Sequence, residues 1–349
     1  MTTALHGLTF DHLRIHTADT EKAALQMRDG YGMGTLAESV RNDTERSVLV
    51  GTGGIRLLFT QALTDDHPVA DYIRAHGDGV ADIAMAAADA RAAHDLAVSR
   101  GAVSVAAPAE RDGVVTATVG GFGDVTHTFV ERPAGTDTRR LPGLSPVDEG
   151  TGTDVGLLAL DHVAVCLEPG RLDPTVEHYR SVLGFEVIFE ERIVVGTQAM
   201  VSRIVRSAGG DVTLTLIEPD QDLDPGHIDD FVRDHGGPGV QHIALSTADA
   251  VGTVGLLRER GVAFLSTPDA YYRALSERLD PRAHSVEELR ELGILVDEDH
   301  DGQLFQIFAR STHPRNTVFF EVIQRLGATT FGSGNIRALY EAVEQEREA

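Results

Sequence analysis

Cysteine is almost absent from this chain: Cys166 is the only one in 349 residues. A single thiol cannot form an internal disulfide, a thiolate zinc site or a cysteine-held iron–sulfur cluster. Basic residues are also scarce, with 30 Lys and Arg against 54 Asp and Glu, for a formal charge of −24. Nucleic-acid binders need clustered cations against phosphate, so nucleic acid is not an expected partner. No apolar run approaches the length of a membrane span, so no membrane association is expected. The opening residues, MTTALHGLTFDHLRIH, lack the basic-then-apolar pattern of a secretory signal. The expectation is a soluble, cytoplasmic protein of two or three domains, since 42% hydrophobic residues suffice for packed cores. Any metal it holds must be bound by its 15 histidines and its carboxylates.

Beyond these absences the sequence contains an internal repeat. FDHLRIHTAD (10–19) parallels LDHVAVCLEP (160–169), and DYIRAHGDGVADIAMAAADARAAHDLAVSRGAVSV (71–105) parallels DFVRDHGGPGVQHIALSTADAVGTVGLLRERGVAFL (230–265). In each half an alternating strand ends in a turn and is followed by an amphipathic helix, over Thr20–Tyr31 and over 173–183. Several strands, a second strand–helix pair and a closing group of strands come next. Two blocks in one order indicate a duplication, so the fold class is α+β, built from βαβββ units. The Pro/Gly/Thr-rich stretch 133–156 reads as a linker, leaving domains at 1–132 and 157–349. The second half adds a helical-looking segment, 268–292, with Tyr271, Tyr272, Leu275 and Leu279 sharing a face. It also adds a final helix over 335–346, with Ile336, Leu339, Tyr340 and Val343 at intervals of three and four.

The duplication also allows a comparison within one chain. The second half has His162 on its first strand, His242 on its middle strand and Glu321 on a late strand, each alternating with small or apolar neighbours. A carboxylate on such a face is costly unless paired or bound to a cation. At matching positions the first half has His12, Asp82 and, by a looser alignment, Thr128. The fold alone therefore does not require the full set. A lone strand histidine is more often a hydrogen-bonded core residue, and a strand glutamate is more often paired, so spacing leaves both readings open. Two histidines and one carboxylate on three strands is nevertheless the facial-triad composition of non-haem Fe(II) sites.

Five ordered blocks carry a more specific signal: GPGVQHIAL (237–245), TPDAYYRALSERL (267–279), LGILVDEDHDGQLFQIF (292–308), FFEVIQR (319–325) and FGSGN (331–335). Together they resemble the 4-hydroxyphenylpyruvate dioxygenases and their close relatives, the 4-hydroxymandelate synthases. The resemblance is strongest over 157–346, and the N-terminal half matches the degenerate first module such proteins carry. It implies a vicinal oxygen chelate (glyoxalase-like) fold, with paired βαβββ modules curled into open barrels and a C-terminal helix over the active site. It also implies Fe(II) held by His162, His242 and Glu321, with 4-hydroxyphenylpyruvate and O2 as substrates and a homodimer as the family habit. Carbon dioxide would leave first. The oxidising equivalent would then go either to the aromatic ring, giving homogentisate, or to the benzylic carbon, giving 4-hydroxymandelate for peptide antibiotic biosynthesis.

Pocket residues discriminate between these outcomes. The dioxygenase pattern of Pro, a hydrophobic residue and then Asn-Glu-Pro is here Thr215-Leu216-Ile217-Glu218-Pro219. Two phenylalanines expected after the Gly-x-Gly-Asn turn are Ile336 and Tyr340. These departures resemble the mandelate synthases, although Thr215 and Ile217 are also ordinary β-formers. Ser202, Thr215, Ile217, Gln306, Phe308, Phe319, Ile336 and Tyr340 are the expected substrate contacts. His227 stands where the family usually has glutamine. Gln241 is expected to face away from its neighbour His242, and Cys166 to be a small buried hydrophobe. A non-catalytic binding protein of the same superfamily would need no intact triad, and extradiol ring-cleaving dioxygenases generally lack the 297–308 and 331–335 blocks.

Overall fold

The structure is a computed structural model describing residues 4–39, 42–147, 152–332, 334, 335 and 337. The first half contains β1 (Thr9–His16), α1 (Thr20–Tyr31), β2 (Gly34–Ser39), β3 (Glu45–Thr52), β4 (Ile55–Ala62) and α2 (Pro68–His76). It continues with β5 (Gly79–Ala86), α3 (Ala90–Ser99), β6 (Ser104–Arg111), β7 (Val114–Phe122) and β8 (Val125–Glu131). After β9 (Leu144–Pro146) the plan repeats as β10 (Leu157–Cys166), α4 (Leu172–His178), a π-helical turn (Tyr179–Leu183), β11 (Glu186–Val195), β12 (Gln198–Arg206), β13 (Thr213–Pro219) and α5 (His227–His235). The chain then forms β14 (Gly239–Thr247), α6 (Ala250–Glu259), α7 (Asp269–Arg278), α8 (Val286–Leu292), β15 (Leu295–Glu298), β16 (Gln303–Phe308) and β17 (Phe319–Leu326).

Among the described residues the strands form two sheets, ordered β6-β7-β8-β5-β1-β4-β3-β2-β9 and β11-β12-β13-β10-β14-β17-β16-β15. Read in opposite directions the two orders coincide, apart from β9. This is the duplicated α+β architecture expected from the repeat, curled as the resemblance implies. The helix starts follow from three copies of one cap. Asp19, Asp89 and Asp249 each accept the backbone N–H of the third helical residue, satisfying a donor that the first turn leaves free. In the fourth copy Arg171 makes no side-chain cap bond, and there the helix has seven residues before the π-helical turn.

Two segments differ from expectation. Within 133–156, β9 pairs antiparallel with β2 and so extends the first sheet. Thr153 packs against the end of α1, where Gly32 has φ 67° and a Cβ would lie 2.3 Å from the Thr153 carbonyl, so this close approach requires glycine. The 268–292 segment forms two helices rather than one. Leu279 is extended at φ −157° and Pro281 follows two residues later, where a helix cannot easily continue. Ser285 and Glu288 then form a reciprocal capping box for α8. The expected final helix over 335–346, with Ile336 and Tyr340, lies outside the described residues except for Asn335 and Arg337.

Candidate metal centre

The three proposed ligands sit on adjacent strands. His162 opposes Ala244 across β10 and β14, and Ala244 opposes Glu321 across β14 and β17. Alternation places His162, His242 and Glu321 on the concave face, where their donor atoms lie within 4.8 Å of one another. Glu321 Oε2 is 3.4 Å from Nε2 of each histidine, and all three side chains are buried. Burial disfavours the Glu321 charge, but the two imidazoles outweigh it and hold its carboxyl down at about 2. Burial pulls His162 down as well, yet the Glu321 and Asp161 carboxylates leave it raised overall. His242 is lowered, with burial the largest cause.

A second ring of contacts orients these groups. Asp161 Oδ1 lies 2.8 Å from His162 Nδ1, which leaves Nε2 directed at Glu321. Asp161 is itself clasped by Arg325, with Nε to Oδ2 and Nη2 to Oδ1 both at 2.9 Å. Phe331 meets the His162 ring edge-on at a centroid distance of 4.6 Å and lies beneath the Arg325 guanidinium at 4.8 Å. Two imidazole nitrogens and a buried carboxylate, preoriented by carboxylate–histidine bonding, suit a divalent transition-metal ion. The donor set fits Fe(II).

The triad faces a narrow cavity of about 50 Å³. Ser202, Thr215, Ile217, Gln306 and Phe308 all line it. Ser202 is paired with Ile217 across β12 and β13, and Thr215 Oγ1 is buried with no hydrogen-bond partner among the described residues. Phe319 instead stacks on the outer side of His242 (5.2 Å, 23°) and lines a separate outer cavity. Ile336 and Tyr340 lie outside the described residues.

One expectation is corrected. Gln241 does not face away from the site: it lines the same cavity, with Oε1 3.4 Å from His242 Nδ1. The β10–β14 register shifts between the Ala164–His242 and Val165–Val240 pairs, and such a bulge breaks strict alternation. Cys166 is fully buried in an apolar cluster with Ile217 and Met200, and burial pushes its thiol far up. Sequence reasoning did not assign Met200, Ile228 or Phe331 to the cavity, nor Asp161 and Arg325 to their orienting role. The last two were detectable in the repeat, because Asp11-His12 and Arg132 occupy the equivalent positions.

The Glyoxalase/Bleomycin resistance protein/Dioxygenase superfamily matches residues 159–307. A 4-hydroxyphenylpyruvate dioxygenase from Dictyostelium discoideum is 34% identical over 97% of this chain and 98% of its own length. The chain belongs to the 4-hydroxyphenylpyruvate dioxygenase family. The enzyme of that name from Danio rerio is 32% identical over 98% of this chain and 91% of its own length. Among solved structures, a triple mutant of 4-hydroxymandelate synthase from Streptomyces coelicolor superposes with a TM-score of 0.89 and 44% identity, covering 97% of this chain and 98% of that one. As a member of this dioxygenase family, the chain carries its His-His-Glu group in the second of two duplicated halves.

Proposed function

We propose that the chain catalyses the Fe(II)-dependent conversion of 4-hydroxyphenylpyruvate and O2 to 4-hydroxymandelate and CO2, with His162, His242 and Glu321 as the iron ligands. The observation that carries the choice of product is the β12–β13 wall. Ile217 stands where the homogentisate-forming pattern has asparagine, and it packs with Ala164, Cys166, Met200 and Ile228. The buried hydroxyl of Thr215 stands two residues away on the same wall. The greater identity to the mandelate synthase, 44% against 34% for the dioxygenase, supports the same reading.

Iron in this site supplies the dioxygen chemistry; the chain's own residues supply position. Ser202 and Thr215 offer hydroxyls to the phenol end of the substrate, while Ile217 offers none. Gln306 supplies a further polar group, and Phe308 closes the apolar wall. Ile336 and Tyr340 are proposed to complete that wall. Loss of a polar anchor at 217 would shift the ring so that the benzylic carbon faces the oxidant, and small displacements of this kind change rates strongly. The product would supply hydroxyphenylglycine-containing peptide antibiotics.

Purified protein incubated with Fe(II), ascorbate, O2 and 4-hydroxyphenylpyruvate should yield mandelate as the main product. Homogentisate as the main product would favour the second reading, which the dioxygenase relatives support. Absence of substrate-stimulated oxygen uptake would reject the enzyme reading altogether. In Ile217→Asn and the Thr215→Pro/Ile217→Asn double variant, the product mixture should move toward homogentisate. An unchanged mixture would free these positions from any steering role.

A further inference from the structure

Arg325 follows Glu321 by one further turn of the same strand, β17, and bonds in two directions at once. Nε and Nη2 clasp Asp161, whose Oδ1 orients His162. The third nitrogen, Nη1, donates to the Thr330 carbonyl at 2.8 Å and to the Ala328 carbonyl at 3.4 Å. The guanidinium also lies over the Phe331 ring, and that ring meets His162 edge-on. The contacts close a circuit from His162 through Asp161, Arg325 and Phe331 back to His162. All four side chains are buried or half-buried, where linked polar contacts reinforce one another.

The segment after β17 is fastened from outside this circuit as well. Asp299 Oδ2 accepts Thr329 N–H at 2.9 Å and Thr330 N–H at 2.8 Å, and Asp297 Oδ2 accepts Gly334 N–H at 2.9 Å. Those two carboxylates touch none of the three metal-site side chains in the bonds they make here, whereas Arg325 and Phe331 tie the segment to His162. The first half shows which part of the arrangement is general. Arg132 clasps Asp11, and its Nε donates to the Arg140 carbonyl at 3.0 Å, so it too joins its brace to the chain that follows. Among the described residues, however, no aromatic ring lies under the Arg132 guanidinium. The closing ring occurs in the half that keeps all three candidate ligands.

We infer that Arg325 is a positioning residue that couples metal binding at His162 to the seating of Phe331 and Thr330. With a divalent ion at Nε2, the imidazole donates more strongly through Nδ1 to Asp161. Asp161 then holds the guanidinium in the plane on which Phe331 rests. Coupling of this kind is reciprocal, so a seated Phe331 tightens the metal by the same factor. Phe331 lines the metal-facing cavity, and this wall of the substrate pocket is therefore completed by metal loading. The inference rests on the ligand assignment above and is independent of which product forms.

Hydrogen exchange of the full-length chain, read by mass spectrometry without substrate, tests it in the metal-free protein and at saturating Co(II). Co(II) should raise protection of the Thr329 and Thr330 amides by at least about fivefold in the parent, the low end of ordinary couplings. In Arg325→Lys, which keeps the charge but loses the planar fork, that gain should vanish. A gain from overall stabilisation by the ion would persist in the variant, and a merely structural arginine would lower protection equally with and without Co(II). Phe331→Leu removes no ligand, yet it should weaken Co(II) binding by at least about fivefold in the parent and by no more than about twofold in the Arg325→Lys background. No gain in the parent, equal gains with and without Arg325, or additive losses of affinity would overturn the coupling. Co(II) binding undiminished in Glu321→Ala would instead overturn the ligand assignment, and the coupling with it.

Discussion

In the first half, Asp11 holds His12 Nδ1 at 2.6 Å and is clasped by the Arg132 guanidinium; in the second, Asp161 holds His162 Nδ1 at 2.8 Å and is clasped by Arg325. The outer bracing is therefore the same in both halves, and the difference lies at the centre. His242 is replaced by Asp82 and Glu321 by Thr128, as the registers of β5 with β8 and of β14 with β17 place them. Asp82 takes hydroxyl donors from Thr126 and Thr128 at 2.6 and 2.9 Å, while His12 Nε2 is buried without a partner among the described residues. The Asp–His–Arg brace thus persists where the other two ligands are missing, which makes it a feature of the module. Metal chemistry depends on what replaces Asp82 and Thr128.

Removing a ligand should separate the halves most sharply. Glu321→Ala should weaken Fe(II) or Co(II) binding by at least about a thousandfold, because several kcal/mol of binding accompany each donor. Thr128→Ala should leave affinity and stoichiometry unchanged in the same titration. Next come the braces. Asp161→Asn should cost about 10–100-fold in metal affinity, whereas Asp11→Asn should leave that affinity intact. It should instead destabilise the protein by about 3–5 kcal/mol in urea unfolding, because it strands the buried Arg132 charge. Equal metal losses in both variants would mean that the halves are coupled.

A smaller gain is expected from restoring the missing groups. Asp82→His combined with Thr128→Glu should add a second, weaker equivalent of Co(II), read from its absorption spectrum. Failure to bind in a folded variant would show that the first barrel no longer converges its ligands.

The smallest effect concerns acid stability of the metal-free protein, where the two central carboxylates should act in opposite directions. Glu321 is held at about 2, below its ordinary 4.5. Its contribution to stability is present above pH 4.5 and lost as pH falls toward about 2, and Glu321→Gln should remove that loss. Burial raises Asp82 despite its hydroxyl donors. Its contribution is present below the ordinary 3.8 and lost as pH rises through its folded value, so Asp82→Asn should stabilise the protein at neutral pH. Urea midpoints against pH would show both slopes.

The repeated Asp-His dipeptides and the strand alternation made the duplicated α+β plan readable in advance, while the His-His-Glu set was singled out by the resemblance that the five ordered blocks carry. They depend on local periodicity and on chemistry carried by a few residues. Gln241 was misread because a bulge depends on pairing with a neighbouring strand, and the sequence of β14 alone does not reveal it. Met200, Ile228 and Phe331 come from a strand, a helix and a terminal loop far apart in the chain, and no spacing rule relates them.

Composition excluded thiolate metal sites, and the repeat located the one half that keeps all three candidate ligands. Only the tertiary structure decided that their donor atoms converge and that Asp161 and Arg325 brace them. Local pattern gives the face a side chain takes where pairing is regular, but convergence is a set of distances between segments that meet only when the sheet curls.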